Sequence, residues 1–237
     1  MMTIQTLPSY EEMSLRAAEM IADIVRAKPD AVLGLATGST PIGTYRHLVR
    51  MHKEGSLDFS RVTTVNLDEY LGLPGTHEQS YRYFMETNLF QHVNLDPART
   101  FLPNGMAADP VAEGRRYDEL IASLGGTDIQ LLGIGFDGHI GFNEPCGEFV
   151  KATHPVDLDP STIQANARFF ASEAEVPRQA ITMGMGAIMG AKRVLLLASG
   201  EGKKAIFDAS ANGPIVPQVP ASILQLHPDA VMMYTQG

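Results

Sequence analysis

Two carboxylates and one imidazole lie within eight residues of each other in the stretch IQLLGIGFDGHIGFNEP, residues 129–145. These side chains are Asp137, His139 and Glu144, and glycines separate them. Histidine can accept or release a proton near neutral pH, and a neighbouring carboxylate can fix its tautomer and stabilise its charged form. The spacing therefore predicts a proton-transfer site. For Asp137 and His139 taken alone, a polar turn with a surface histidine would be the commoner explanation.

The residues that precede this trio indicate where it lies in the fold. Residues 129–134 are almost continuously apolar, which is typical of a strand buried on both faces of a parallel sheet. In such sheets ligands bind beyond the carboxyl ends of the strands. The trio is therefore expected at the edge where ligands bind.

The glycines in the same stretch also match a dinucleotide-binding fingerprint. Gly133, Gly135 and Gly138 spell G-x-G-x-x-G after a strand, but the pattern requires a helix to follow. Residues 141–145, GFNEP, are poor for a helix and place a carboxylate where a pyrophosphate would approach. We interpret the match as chance, and a dinucleotide-dependent dehydrogenase is a minor alternative.

A second strand is followed by a small polar loop and a helix start. Residues 31–36, AVLGLA, predict a buried strand, and a helix is expected from Pro41 to about His52. Glycine, hydroxyls and free amides at a helix N-terminus favour phosphate binding. An ordinary turn with a threonine cap is about as good an explanation for the loop alone. The loop consists of Thr37, Gly38, Ser39 and Thr40.

Two further predicted strands end in charged residues. Residues 61–67 lead into Asp68 and Glu69, and residues 194–198 lead into the segment 199–204, SGEGKK. Lysines beside a helix N-terminus are disfavoured by the helix dipole, so a phosphate contact gains weight over an ordinary surface position. Four such clusters on one edge of a parallel sheet predict an enzyme that acts on a small phosphorylated molecule by acid–base chemistry.

The remaining pattern predicts helices over residues 9–28, 79–90, 110–124 and 176–192, and strands at 100–102 and 230–234. Ser9 and Glu12 match a capping box for the first helix. Residues 146–175 show no clear periodicity after the candidate site, which is typical of a lid. Arg168 in this segment could clamp an anionic group.

Composition limits the class of protein. With 237 residues, 44% hydrophobic content and a formal charge of −9, one α/β domain over residues 1–237 is expected, without a surface for nucleic acid. No apolar run could span a bilayer, and residues 1–13 do not resemble a signal peptide. A single cysteine, Cys146, excludes an internal disulfide. We expect a cytoplasmic protein.

The motifs GLATGSTP, NLDEYLGLP, GFDGHIGFNEP, NARFF and LQLHP occur in that order along nearly the whole chain. In these segments the chain resembles the glucosamine-6-phosphate deaminase family. The resemblance implies an α/β, modified Rossmann-like three-layer fold, with a mainly parallel central sheet flanked by helices and an active-site lid. It also implies conversion of glucosamine 6-phosphate and water to fructose 6-phosphate and ammonia, with no cofactor and no metal.

The resemblance further implies roles for matching residues. Asp68 would move a proton between C2 and C1, and His139 would assist ring opening with Asp137 and Glu144. Residues 37–40, Arg168 and Lys204 would hold the 6-phosphate.

Family members that respond to N-acetylglucosamine 6-phosphate are longer and carry basic residues and a threonine soon after FNEP. Here that region reads VKATHPVD, residues 150–157. The allosteric members are longer at the C-terminus, whereas this chain ends soon after LQLHP. We therefore expect it to resemble the shorter, non-allosteric members, with a monomer favoured over a homo-oligomer. One alternative is 6-phosphogluconolactonase, which would need no base at C2. Another is a sugar-phosphate sensor. Such a sensor would normally carry a basic DNA-binding segment, and the acidic first helix does not provide one.

Overall fold

A seven-stranded, all-parallel sheet forms the centre of the computed structural model, which describes residues 2–158, 163–164, 167, 170, 172 and 175–237. In chain order its strands are β1 (Thr3–Thr6), β2 (Val32–Leu35), β3 (Thr63–Asn66), β5 (Thr100–Phe101), β6 (Ile129–Leu132), β9 (Val194–Ser199) and β10 (Ala230–Thr235). Their spatial order is β1-β10-β9-β6-β2-β3-β5. The α/β fold with a parallel central sheet is confirmed.

A second, antiparallel sheet of three short strands lies beside the first. It consists of β4 (Asp68–Tyr70), β7 (His154–Asp157) and β8 (Gln179–Thr182), in the order β4-β8-β7. The sequence pattern did not predict it. Only Leu67 separates β3 from β4, so the chain passes directly from the large sheet into the small one.

The helices of the described residues are α1 (Tyr10–Ala27), α2 (Ile42–Lys53), α3 (Tyr81–Asn88), α4 (Pro110–Ser123), α5 (Met185–Met189) and α6 (Lys204–Asn212). Three of these six helices, α1, α3 and α4, begin at a side-chain cap. Ser9 Oγ accepts a hydrogen bond from the Glu12 amide, which confirms the cap expected for α1. Asp109 caps α4 in the same way, with Pro110 in its first turn. Pro41 is the N-cap of α2 rather than its first helical residue.

Two expectations are corrected. Residues 176–192 are not one helix: they form β8 and the five-residue α5. Gly184 packs closely against residues 151–152, and a Cβ on it would lie 2.2 Å from the Ala152 carbonyl oxygen. Helical residues with side chains could not approach so closely. Residues 146–175 are not irregular throughout, since β7 lies within them. The lid itself stays a prediction, and Arg168 lies outside the described residues.

The core fills the space between the large sheet and its helices. The largest side chains in it that are fully buried include Tyr45, Tyr117, Phe59 and Met13. Tyr45 and Tyr117 also tie strand ends to helices, because Tyr45 Oη donates to the Ala36 carbonyl at 2.5 Å and Tyr117 Oη donates to the Asn66 carbonyl at 2.8 Å. No described helix is long and apolar enough to cross a membrane.

Candidate active site

The four strands with polar ends are neighbours in the large sheet, in the order β9-β6-β2-β3. Because all four are parallel, their carboxyl ends share one edge. From β2 the chain continues outward to β3 and β5, whereas from β6 it continues the other way to β9 and β10. The loops after β2 and β6 therefore diverge at a topological switch point, where open α/β sheets bind their ligands.

Asp137 and His139 form a close pair in the loop after β6. Asp137 Oδ1 lies 2.7 Å from His139 Nδ1 and accepts the His139 backbone amide at 3.1 Å. Partial burial opposes ionisation of Asp137, but the hydrogen bonds and charge of His139 outweigh it and lower the pKa of Asp137 to about 2. A carboxylate held ionised at Nδ1 leaves Nε2 as the ring nitrogen for proton transfer.

The loop is built closely around this pair. An ideal Cβ on Gly135 would lie 2.3 Å from both Cε1 and Nδ1 of His139 and 2.6 Å from Asp137 Oδ1. The Gly135 amide also donates to the His139 carbonyl at 2.9 Å, which closes the turn. Residues 139–150 form turns and no helix, so the glycine pattern is not a dinucleotide-binding fingerprint.

Asp68 is buried in β4 beside this loop, with 6% of its surface exposed. Burial, assisted by the negative charge of Glu69, raises the pKa of Asp68 to about 8. An ideal Cβ on Gly141 would lie 3.5 Å from Asp68 Oδ2, so the carboxylate directly faces the loop that carries His139 and Glu144. A buried carboxyl group that titrates near neutral pH is suited to general acid–base catalysis.

Glu69 has a different role from Asp68. Its carboxylate accepts three backbone amides, from Tyr70 at 2.9 Å, Tyr81 at 2.8 Å and Arg82 at 2.9 Å. The last two belong to the first turn of α3, where a negative charge is favourable. Burial nevertheless raises the pKa of Glu69. Glu69 thus anchors α3 and adds negative charge next to Asp68.

The loop after β2 presents its backbone amides at the same edge. Among the described residues, none of the amides of residues 37–40 donates to another protein group. Gly38 adopts φ +90°, and Tyr10 Oη donates to the Ser39 and Thr40 carbonyls at 3.1 and 3.0 Å, which turns these carbonyls away. Free amides before a helix of this length are suited to an anion.

Glu144 lies at the far end of the β6 loop. It lines a small cleft together with Asn143, Cys146, Phe149 and Met185, among others. Among the candidate site residues that the structure describes, Glu144 alone lines this cleft. Glu144 shares the β6 loop with the Asp137–His139 pair, five residues after His139.

The structure separates the two lysines after β9. Lys204 forms an ion pair with Asp208 on the exposed side of α6. The resemblance did not point to Lys203. Its Nζ donates to the Ile134 carbonyl at 2.8 Å and lies 3.5 Å from the centre of the Phe136 ring. Burial lowers the pKa of Lys203 to about 8, although the charge of Asp137 opposes this. The sequence drew attention to the lysine pair, but it could not show which of the two side chains faces the loop.

Comparison with known proteins agrees with this geometry. Residues 9–233 match the family described as glucosamine-6-phosphate isomerases/6-phosphogluconolactonase. The chain belongs to this family. Within the glucosamine-6-phosphate isomerase family, the chain is 56% identical over 232 residues to a glucosamine-6-phosphate deaminase of Lachnoclostridium phytofermentans, covering 98% of each chain. It is 54% identical over 225 residues to that of Clostridium perfringens, covering 95% of this chain and 93% of the relative.

Solved structures of the glucosamine-6-phosphate isomerase family have the same fold. A structure described as a monomeric glucosamine-6-phosphate deaminase superposes with a TM-score of 0.96 at 50% identity, over 99% of this chain and 97% of the other. The 6-phosphogluconolactonase of Trypanosoma cruzi superposes with a TM-score of 0.77 at 21% identity, over 99% and 94% of the two chains. The second likeness bears on the fold alone.

Proposed function

We propose that the chain is a glucosamine-6-phosphate deaminase, which converts glucosamine 6-phosphate and water to fructose 6-phosphate and ammonia. The observation that carries the proposal is the position of Asp68, a buried carboxyl group with a pKa of about 8 that faces the loop of the Asp137–His139 pair. The reaction needs two separate proton transfers, one that opens the sugar ring and one between C2 and C1. The site offers one group for each.

Ring opening is assigned to His139. Its imidazole takes the proton of the O1 hydroxyl and returns a proton to the ring oxygen as the C1–O5 bond breaks. Asp137, held ionised, stabilises the imidazolium that forms between these two transfers. Glu144, on the same loop, helps Asp137 to orient and tune the imidazole. Positioned acid–base groups of this kind contribute about 10²–10⁴-fold each.

The C2-to-C1 shift is assigned to Asp68. In the open-chain sugar the C2 proton is acidified by the neighbouring C1 carbonyl, so a carboxylate is a sufficient base. Asp68 takes the proton from C2 while the substrate's ammonium group passes a proton to the C1 carbonyl oxygen, which gives the enolamine. Asp68 then delivers its proton to C1, which leaves an iminium at C2. Water adds to C2, and ammonia leaves. The ammonium group of the bound substrate would favour the ionised form of Asp68, because an opposite charge lowers the pKa of a carboxyl group.

The 6-phosphate is assigned to the loop of Thr37, Gly38, Ser39 and Thr40. The amides of these residues face no other described protein group, and they precede α2. Arg168 and Lys204 remain the predicted cations, and Lys203 is a third candidate because it already lies against the β6 loop. No surface for nucleic acid is proposed.

We also propose a monomeric, cytoplasmic and non-allosteric enzyme. A relative described as monomeric supports the oligomeric state. The threonine after FNEP, Thr153, is buried and committed to Asp118: its amide donates to Oδ2 at 2.9 Å and its hydroxyl donates to Oδ1 at 2.5 Å. It therefore has a structural role that an effector site would have to disrupt.

The test is to measure ammonia and fructose 6-phosphate released from glucosamine 6-phosphate by the wild type and by Asp68→Asn. Equal amounts of both products from the wild type, with a loss of at least roughly a hundredfold in the variant, support the reaction and the base. Similar rates from both proteins would remove Asp68 as the base. If the wild type released neither product but hydrolysed 6-phosphogluconolactone, the lactonase alternative would replace the proposal.

A further inference from the structure

We propose that Thr182 is a positioning residue, whose hydroxyl sets the Asp68 carboxylate at the correct distance from the loop that carries His139 and Glu144. The inference rests on the proposed function, because it concerns how the two proton-transfer groups of one reaction are held together.

Thr182 is the direct partner of Asp68 in the small sheet. Strands β4 and β8 are antiparallel, and Asp68 is opposite Thr182 in their register. Residues that face each other in this way project to the same side of a sheet. Thr182 is completely buried, so its hydroxyl must satisfy its hydrogen bonds within the protein.

The hydroxyl reaches the loop after β6. Thr182 Oγ1 accepts the Phe142 amide at 2.9 Å in a buried hydrogen bond. An ideal Cβ on Gly141 would lie 2.9 Å from Thr182 Oγ1 and 3.5 Å from Asp68 Oδ2. The hydroxyl and the catalytic carboxylate therefore lie against the same loop residue, and Gly141, with φ +60°, leaves room for both.

Met183, the next residue of the chain, connects the same two segments through its backbone. The Met183 amide donates to the Leu67 carbonyl at 2.6 Å, and the Met183 carbonyl accepts Asn143 Nδ2 at 2.8 Å. Residues 182–183 thus join the segment of Asp68 to the segment of Phe142 and Asn143. The Thr182 hydroxyl is the part of this connection that a substitution can remove while the strand register is kept.

The matched pair of variants is Thr182→Val and Thr64→Val. Valine keeps the shape and β-branching of threonine, so it stays compatible with a strand, but it cannot accept the Phe142 amide. Thr64 is also fully buried, lies in β3 and has a hydroxyl without a partner among the described residues. Both variants place a valine side chain in a fully buried position, but only residue 182 contacts the loop after β6.

We expect Thr182→Val to lower kcat about tenfold to a hundredfold with KM within about twofold of the wild type, because a displacement of about 1 Å is enough to cost that much. Thr64→Val should keep kcat within about twofold. Thr182→Ser, which restores the hydroxyl, should recover most of kcat. Hydrogen exchange should be faster over residues 137–144 in Thr182→Val and unchanged there in Thr64→Val.

A folded Thr182→Val with wild-type kcat would overturn the proposal, as would an equal loss of kcat in Thr64→Val. If Thr182→Val does not fold, Thr182→Cys replaces it, because a thiol is a weak acceptor of similar size; equal kcat for the Ser and Cys variants would then refute the role of the hydroxyl. A wild type that releases no ammonia would refute the proposed function instead, and the exchange experiment would still test whether Thr182 holds the loop.

Discussion

Replacing Asp68 by Asn should stabilise the fold in a way that depends on pH. The pKa of Asp68 is raised from 3.8 to about 8 by burial and by Glu69. The folded protein therefore binds a proton that the unfolded chain releases above about pH 4, and folding stability is lost as the pH rises from about 4 to 8. Asparagine cannot ionise, so the variant avoids this loss. Below about pH 4 both states of the wild type are protonated and the advantage disappears.

The size of the effect follows from the gap between the two pKa values. About 4 pH units at roughly 1.4 kcal/mol each give a ceiling of about 5 to 6 kcal/mol above pH 8. Water that enters the site on relaxation reduces this, since buried sites behave as if their effective dielectric constant were about 20. We expect a gain of about 2–3 kcal/mol, which corresponds to about 4–12 °C in Tm for a chain of this size.

The assay is urea unfolding of both proteins at pH 4, 6 and 8, with Asp23→Asn as the control. Asp23 is exposed on α1, where its carboxylate forms a surface ion pair with Arg26 at 3.1 Å. Any fixed difference between a carboxyl group and an amide is the same at each pH, so only the trend is diagnostic. A stability difference between Asp68→Asn and the wild type that does not grow from pH 4 to pH 8 would show that Asp68 is not held in an unfavourable environment.

Three further outcomes are expected. The wild-type kcat/KM should fall about tenfold per pH unit below about pH 8. In Glu69→Gln this fall should begin at lower pH, because the negative charge that helps to raise the pKa of Asp68 is removed. Identical pH profiles of the two proteins would contradict this coupling. Gly135→Ala should lose at least about a hundredfold in kcat, because its Cβ overlaps the His139 ring, whereas Gly133→Ala, whose Cβ meets nothing within 4 Å, should stay within about threefold. Substrate saturation should be hyperbolic and insensitive to N-acetylglucosamine 6-phosphate, and light scattering should give the mass of a monomer, 25.7 kDa; sigmoidal kinetics would argue for an effector site.

Much of the large sheet could be predicted because its central strands are apolar without interruption. Residues 31–36, 129–134 and 194–198 each became a buried strand. Strand β1 was missed because its residues are mostly exposed and polar, so it carries no hydrophobic signal. The segment 176–192 was predicted as one helix, although its glycines are unfavourable for a helix. Pairing of β8 with the distant strands β4 and β7, and close contact of Gly184 and Gly186 with residues 151–152, produce β8 and α5 instead.

The candidate site shows the same division. Asp137 and His139 could be paired from the sequence because they are two residues apart in one glycine-rich loop, and local geometry brings their atoms within hydrogen-bonding distance. The choice between Lys203 and Lys204 could not be made, because it depends on which side chain turns towards Ile134, a residue about seventy positions earlier. Thr182 gave no sequence signal, since its partner strand and its partner loop are both distant in the chain.

The order of motifs along the chain was by itself enough to predict the family, the reaction and the residue types at the site. The reason is that the proton-transfer groups and the glycine loops lie in contiguous segments of the sequence. The resemblance already implied that Asp68 is the base, and the tertiary structure supplied the physical difference between Asp68 and Glu69. Asp68 and Glu69 are adjacent and chemically almost equal. Asp68 faces the loop at Gly141 and accepts no backbone amide among the described residues, whereas Glu69 accepts three, two of them at the start of α3. Burial and hydrogen bonding, which come from distant segments, set this difference.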